Sequence, residues 1–206
     1  MNTRIFAVIV LALIHWPLVC GAADLQSTFG RPPNEPYLEK VQGLSIPRLK
    51  ELHDLGHMDA TIQLARMLWW EGDAETPIQL LKLPAEQDIP VAQYLLGTYF
   101  RFKNRDPSGA VYWLTKAANA GHPIAQESLA GFYESGLHGV PKVPHRAYQL
   151  YRAAAEQGLK HSEFTVGLFL CNGIGVEVNK TEGKVWFLRS QEGQRVPLPL
   201  SEAGCE

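Results

Sequence analysis

Two helical spacings of large and small apolar residues recur along the middle of the chain. Four residues after each of Gly56, Asp88, Gly121 and Gly158 stands a small side chain: Ala60, Ala92, Ala125, Ser162. Four further on comes Leu64, Leu96, Leu129 or Val166, followed directly by Ala65, Gly97, Ala130 or Gly167. Three more positions bring Leu68, Phe100, Tyr133 or Leu170. Steps of four, one and three keep one face of a helix apolar. A second pattern completes each unit. Leu80, Trp113, Leu150 and Trp186 align, followed by Leu81, Leu114, Tyr151 and Phe187. Ala110, Ala147 and Gly183 precede these pairs by three positions, and Ala117, Ala154 and Ser190 follow them by three. In the first unit Pro77 and Pro84 stand in those two places.

With Gln194 as a fifth anchor, the units are 32, 33, 37 and 36 residues long. Small residues at fixed places let two helices approach closely, and the large ones fill the space between neighbouring hairpins. The pattern predicts an all-α solenoid of about four helix–turn–helix repeats, with an extra helix near residues 46–55. Pro90, Pro123, Pro77 and Pro107 stand where first turns should begin, since a missing N–H costs nothing there. Thr76 and Asp106 are candidate N-caps. Gly72, Gly136 and Gly173 stand where first helices should end. Pro84 falls inside a second helix and is expected to kink or shorten it.

Outside the repeats the patterning changes. Arg4, the ten apolar residues 5–14, Pro17 and the small residues Gly21, Ala22 and Ala23 predict a secretory signal peptide over 1–23. The apolar run is too short to span a bilayer. Cleavage is expected after Ala22 or Ala23, which removes Cys20; Val19 in front of Cys20 is a poor match to a lipidation signal. Residues 24–45, with Gly30, Pro32, Pro33, Pro36 and Gly43, read as an extended leader, 46–195 as the solenoid and 196–206 as a flexible tail. Of the 206 residues, 19 are Lys or Arg and 21 Asp or Glu, a net charge of −2 that argues against general nucleic-acid binding. Three cysteines exclude a disulfide-rich scaffold and a four-cysteine zinc site. Cys171 and Cys205 are left either free or paired, the latter in an oxidising compartment.

The string 147–158 (AYQLYRAAAEQG), Ala125-Gln126 with Leu129, Gly136-Leu-His-Gly-Val140 and Asn172-Gly-Ile-Gly-Val176 together resemble the Sel-one-like repeat family, a relative of the tetratricopeptide repeat. The likeness covers roughly residues 57–194, closest in the third unit and degenerate in the first. It implies a right-handed α-solenoid that binds other proteins along its concave face, without enzymatic activity or a cofactor. One branch of the family carries a disulfide in each repeat and is linked to penicillin binding; this chain lacks those cysteines. Other secreted members resemble it in size and layout and act as periplasmic immunity proteins against lipase effectors of type VI secretion. The implied partner is thus another protein, with an envelope adaptor as the alternative role.

Side chains with chemistry add little to this. His53 and His57 are four apart, a spacing for two metal ligands, but Gly56 separates them and His57 shares its repeat position with His122. No Gly-x-Ser-x-Gly and no Walker-type glycine loop is present. Asn179-Lys-Thr181 is a glycosylation sequon. The informative residues lie on the first helices, outside the recurring apolar pattern: Ile62, Arg66, Trp69 and Trp70; Tyr94, Thr98, Arg101 and Phe102; Glu127 and Glu134; Phe164 and Leu168. They vary from unit to unit, so the fold does not demand them. Trp, Tyr, Phe and Arg are the types enriched at binding hot spots. These twelve are the expected partner-binding residues. The longer connections 137–146 and 174–181 are the alternative.

Overall fold

Among the described residues of the computed structural model, nine α-helices follow one another and no strand is present. The structure describes residues 38–193 and 199–205, apart from 74, 105 and 138. The signal peptide, Cys20, the leader up to residue 37 and the Gln194 anchor lie outside them. Helix α1 (Ile46–Asp54) is the extra element expected near 46–55. Four hairpins come next: α2 (Met58–Trp70) with α3 (Thr76–Glu86), α4 (Pro90–Tyr99) with α5 (Pro107–Asn119), α6 (Pro123–Ser135) with α7 (Pro144–Glu156), and α8 (Lys160–Asn172) with α9 (Lys180–Ser190). Each helix packs on the helices before and after it in the chain. That makes the fold an all-α repeat stack.

The recurring positions form the core. Ala60, Ala92, Ala125 and Ser162 are fully buried, as are Leu64, Leu96, Leu129 and Val166 to within 3%. Leu81, Leu114, Tyr151 and Phe187 are buried as well. The small positions work as expected. A Cβ added to Gly167 would meet the Phe187 amide at 3.0 Å and the Gly183 carbonyl at 3.1 Å, so α8 and α9 pack backbone to backbone.

Turn chemistry follows the anchors. Gly56, Gly121 and Gly158 have φ of +84°, +86° and +89°, and Asp88 takes the same left-handed place at +58°. Asp tolerates that region better than most residues, and its carboxylate also accepts a 3.0 Å hydrogen bond from Gln93 Nε2. After α9 Gly193 is left-handed, with φ of +86°. Asp106 caps α5, accepting from the Ser108 and Gly109 amides. Thr76 does not act as a cap. Asp73 accepts from the Glu75 and Thr76 amides at 3.0 Å, and Thr76 begins the helix. Pro84 neither ends nor shortens α3 at its C-terminus, which runs on to Glu86. Its compact ring is buried in the slot that Ala117, Ala154 and Ser190 fill elsewhere. Asn179, read as a sequon, is the N-cap of α9.

Both flanks depart from the loose segments expected. Leu38 and Val41 are buried beside a short 3-10 turn, Glu39–Val41, and join the core of the first two hairpins. At the other end a 3-10 turn at Leu200–Ala203 leads to Cys205, which is fully buried and disulfide-bonded to Cys171. Those parts of the leader and tail are fastened to the stack.

Candidate protein-binding face

The twelve expected residues separate into three groups. Ile62 is fully buried and belongs to the core, so it offers no surface. A second group is engaged within the stack, some of it with the next hairpin and some within its own. Trp69 stacks on Tyr99 at 4.0 Å, and Tyr94 on His122 at 4.6 Å. Glu127 accepts a hydrogen bond from Ser162 Oγ. Glu134 accepts one at 2.8 Å from the Tyr151 hydroxyl within its own hairpin; burial, and then the Glu134 charge, hold that phenol well above its ordinary pKa. Thr98 returns its hydroxyl to the Tyr94 carbonyl. Arg66 is half-buried, with Nη1 3.5 Å from Gln63 Oε1. Each of these side chains has a partner within the stack, which gives its variation from unit to unit a packing reason. Phe164 and Leu168 hold the corresponding places in the fourth unit, where they pack with Phe187, Leu200 and the Cys171–Cys205 bridge. They share that cluster with the chain's own C-terminal segment.

The third group remains open. Trp70 is 39% exposed and Phe102 45%. They hold the same register in consecutive units, where the third and fourth units have the polar Ser135 and Asn172. Arg101 lies beside Phe102, partly buried, its guanidinium over the Phe102 ring at 4.9 Å and the Phe132 ring at 5.2 Å. Burial pushes its pKa down from the usual arginine value.

Local sequence explains that placement. Helices α6 and α8 stop on left-handed Gly136 and Gly173. The second unit has Lys103 in that register, and α4 widens into a π-helical turn, Phe100–Asn104, before Asp106 caps α5. Such turns concentrate at functional sites.

Some surface features carry no recurring signal and went unpredicted. Tyr112, Val185 and Leu188 stand out on second helices at 53–61% exposure. A shallow apolar pocket of about 380 Å³ lies between α1, α2 and α3, lined by His53, Met58, Thr61, Leu80 and Leu83 among others. In it His53 Nδ1 is 2.8 Å from Thr61 Oγ1, so that imidazole is already engaged. His122 Nδ1 accepts the Ala125 amide as the N-cap of α6. Among the described residues no three of His, Cys, Asp and Glu converge as a metal site would need, and no helix is long and apolar enough to cross a membrane.

The Sel1 repeat profile matches residues 90–122, 123–159 and 161–190, which are the second, third and fourth hairpins. These three hairpins are Sel1 repeats. Sel1 repeats bind other proteins and are generally non-enzymatic scaffolds. Solved structures share the fold. A Sel1 repeat protein from Oxalobacter formigenes superposes with a TM-score of 0.65 at 23% identity, over 73% of this chain and 64% of its own. A protective antigen of uropathogenic Escherichia coli with an SLR fold gives 0.67 at 27% identity, over 74% and 34%. Among curated proteins, the uncharacterized protein NMB1327 of Neisseria meningitidis is 31% identical over 82% of this chain. The chitin synthase regulator SKT5 of Malassezia restricta is 30% identical over 58%. This chain spans 36% and 9% of the lengths of those two relatives.

Proposed function

We propose that this chain is an exported, non-catalytic binding protein whose Sel1 stack receives another protein at the C-terminal ends of its first helices, around Trp70 and Phe102. The observation that carries the reading is the pair of open aromatics in one register of consecutive units, where units three and four have polar residues. An aromatic anchor surrounded by well-packed neighbours is the usual source of interface energy. The test uses Trp70→Ala and Phe102→Ala, each measured for thermal unfolding alone and for affinity toward a partner captured from the native envelope. Each variant is expected to weaken binding roughly thirtyfold, the equivalent of about 2 kcal/mol, with unfolding unchanged. Lost stability with unchanged binding would move the site to residues 137–146 and 174–181, where Leu137 and Val178 are exposed.

Export rests on the charged, apolar and small-residue order of residues 1–23. N-terminal sequencing of the secreted protein is expected to begin at Ala23 or Asp24. The role of the complex is an adaptor or regulator of an envelope assembly, and the name of the fungal relative, a regulator of chitin synthase, supports regulation by binding. A narrower role, an immunity protein that neutralises a toxic phospholipase effector of type VI secretion in the periplasm, rests on leader, size and repeat type. Growth rescue on co-expression with such a toxin separates the two.

A further inference from the structure

Arg101 stands apart from the ion-paired arginines of the stack, as does Arg146, which lies over the Tyr133 ring but donates a hydrogen bond to its hydroxyl. Among the described residues Arg48 pairs with Glu51, Arg152 with Glu156 and Glu182, and Arg189 with the fully buried Glu163. Arg101 has no carboxylate partner there; its guanidinium lies against two aromatic rings instead. A cation–π contact returns only part of what a guanidinium loses on leaving water. The π-helical turn holds this side chain partly out of solvent, next to an exposed phenylalanine. A partly dehydrated cation on an apolar surface favours an anion strongly, because much of the desolvation has already been met. A planar guanidinium accommodates a carboxylate through two parallel hydrogen bonds.

We propose that Arg101 is the receptor for a carboxylate on the bound protein, with Phe102 and Trp70 taking an apolar side chain beside it, so that the partner presents an acidic and apolar segment. The proposal rests on the protein-binding reading above and adds the chemistry of the partner. The chain as a whole carries a net charge of −2, so attraction of an acidic segment here is a property of this one place and not of the overall field. The carboxylate belongs either to an Asp or Glu side chain or to a chain terminus.

The experiment selects two libraries of random dodecapeptides on the full chain and on Arg101→Gln. One library ends in a free carboxylate and the other is fused at both ends. On the wild-type chain, peptides with an acidic residue or terminus next to an aliphatic or aromatic residue are expected to be enriched severalfold, and this enrichment is lost on Arg101→Gln. The library that yields the binders identifies the source of the carboxylate. The best peptide, labelled and titrated, is expected to bind at least tenfold more weakly to Arg101→Gln. Its weakening on Arg101→Lys should be smaller, since that variant keeps the charge but loses the planar fork. Replacing the peptide's acid by its amide should cost as much as Arg101→Gln, and raising the salt should weaken the wild-type complex alone. Thermal unfolding of both variants accompanies the titration; the lysine variant keeps the test open should the glutamine variant unfold. Enrichment without acidic residues, equal affinity for Arg101→Gln, or no enrichment from either library overturns the proposal. If Trp70→Ala and Phe102→Ala lose the native partner while Arg101→Gln keeps it, the carboxylate assignment falls and the binding face stands. If all three keep it, both fall.

Discussion

Asp73 closes the first turn of α3, three residues ahead of the amide of Thr76. Its carboxylate accepts hydrogen bonds from the Thr76 hydroxyl and from the Thr76 and Glu75 amides, and these hold its pKa below the usual carboxylate value. A group whose folded pKa is depressed adds stability above its unfolded pKa and loses it as the pH falls through the folded one. Urea titrations of the wild type and Asp73→Ala are therefore expected to differ fully at neutral pH. The difference should shrink as the pH drops below about 4 and vanish once Asp73 is protonated in both states. A gap that persists in strong acid would show that the variant disturbs packing rather than the cap. The choice of Asp73 over Thr76 was not legible from the residue types, because both can cap; the turn geometry decides which oxygen reaches the free amides.

At the scale of helices, two glycines carry opposite expectations, Gly167 at a recurring small position and Gly131 one place beyond it. Gly131 and Gly167 both lie inside first helices. A Cβ at Gly131 would meet only the Tyr151 hydroxyl oxygen at 3.6 Å, an ordinary contact, whereas at Gly167 it meets the backbone of α9 at 3.0–3.1 Å. Gly131→Ala is expected to stabilise the fold by about 0.5–1 kcal/mol through helix propensity. Gly167→Ala is expected to cost about 1–3 kcal/mol, because α9 must move away from α8. Equal shifts in the urea midpoint for the two would mean that α8 and α9 do not approach so closely. The recurring positions were readable because each unit solves the same packing problem. The internal partners of Trp69, Tyr94 and Glu127 were not readable for the complementary reason. Variation between units signals a changing neighbour as well as a binding surface, and the sequence does not say across which gap a side chain reaches.

In the stack as a whole, the fourth unit meets the C-terminal segment where the others meet a further hairpin. Phe164, Leu168 and Leu200 pack against one cluster with Phe187 and the Cys171–Cys205 bond, which joins residues 34 apart in sequence. A stack of repeats needs its apolar end covered to remain soluble and cooperative. Cys205→Ser is expected to lower stability by about 2–4 kcal/mol, read as a drop in the urea midpoint that the wild type reproduces only with reductant. Hydrogen exchange should quicken first in α8 and α9, since a one-dimensional stack frays from its end. Unchanged exchange there would assign the cover to the surrounding apolar contacts alone.

Periodicity alone determined the helix–turn–helix repeat and the burial of its recurring residues, because these depend on spacings of a few residues that the backbone repeats in every unit. It also brought Asp88 into line with three glycines, and the four share one left-handed turn. Only the tertiary structure decided which varying side chains face a neighbour and which face solvent. Trp69 and Trp70 are adjacent in the chain, yet one stacks on Tyr99 and the other is exposed. A turn of about 100° between successive helical residues separates them, and where each points depends on the next hairpin, about thirty residues away. The same holds for Cys171 and Cys205, whose pairing required the tail to fold back on the last hairpin. It holds as well for Arg101, an expected partner-binding residue whose place beside two rings only the stack decided.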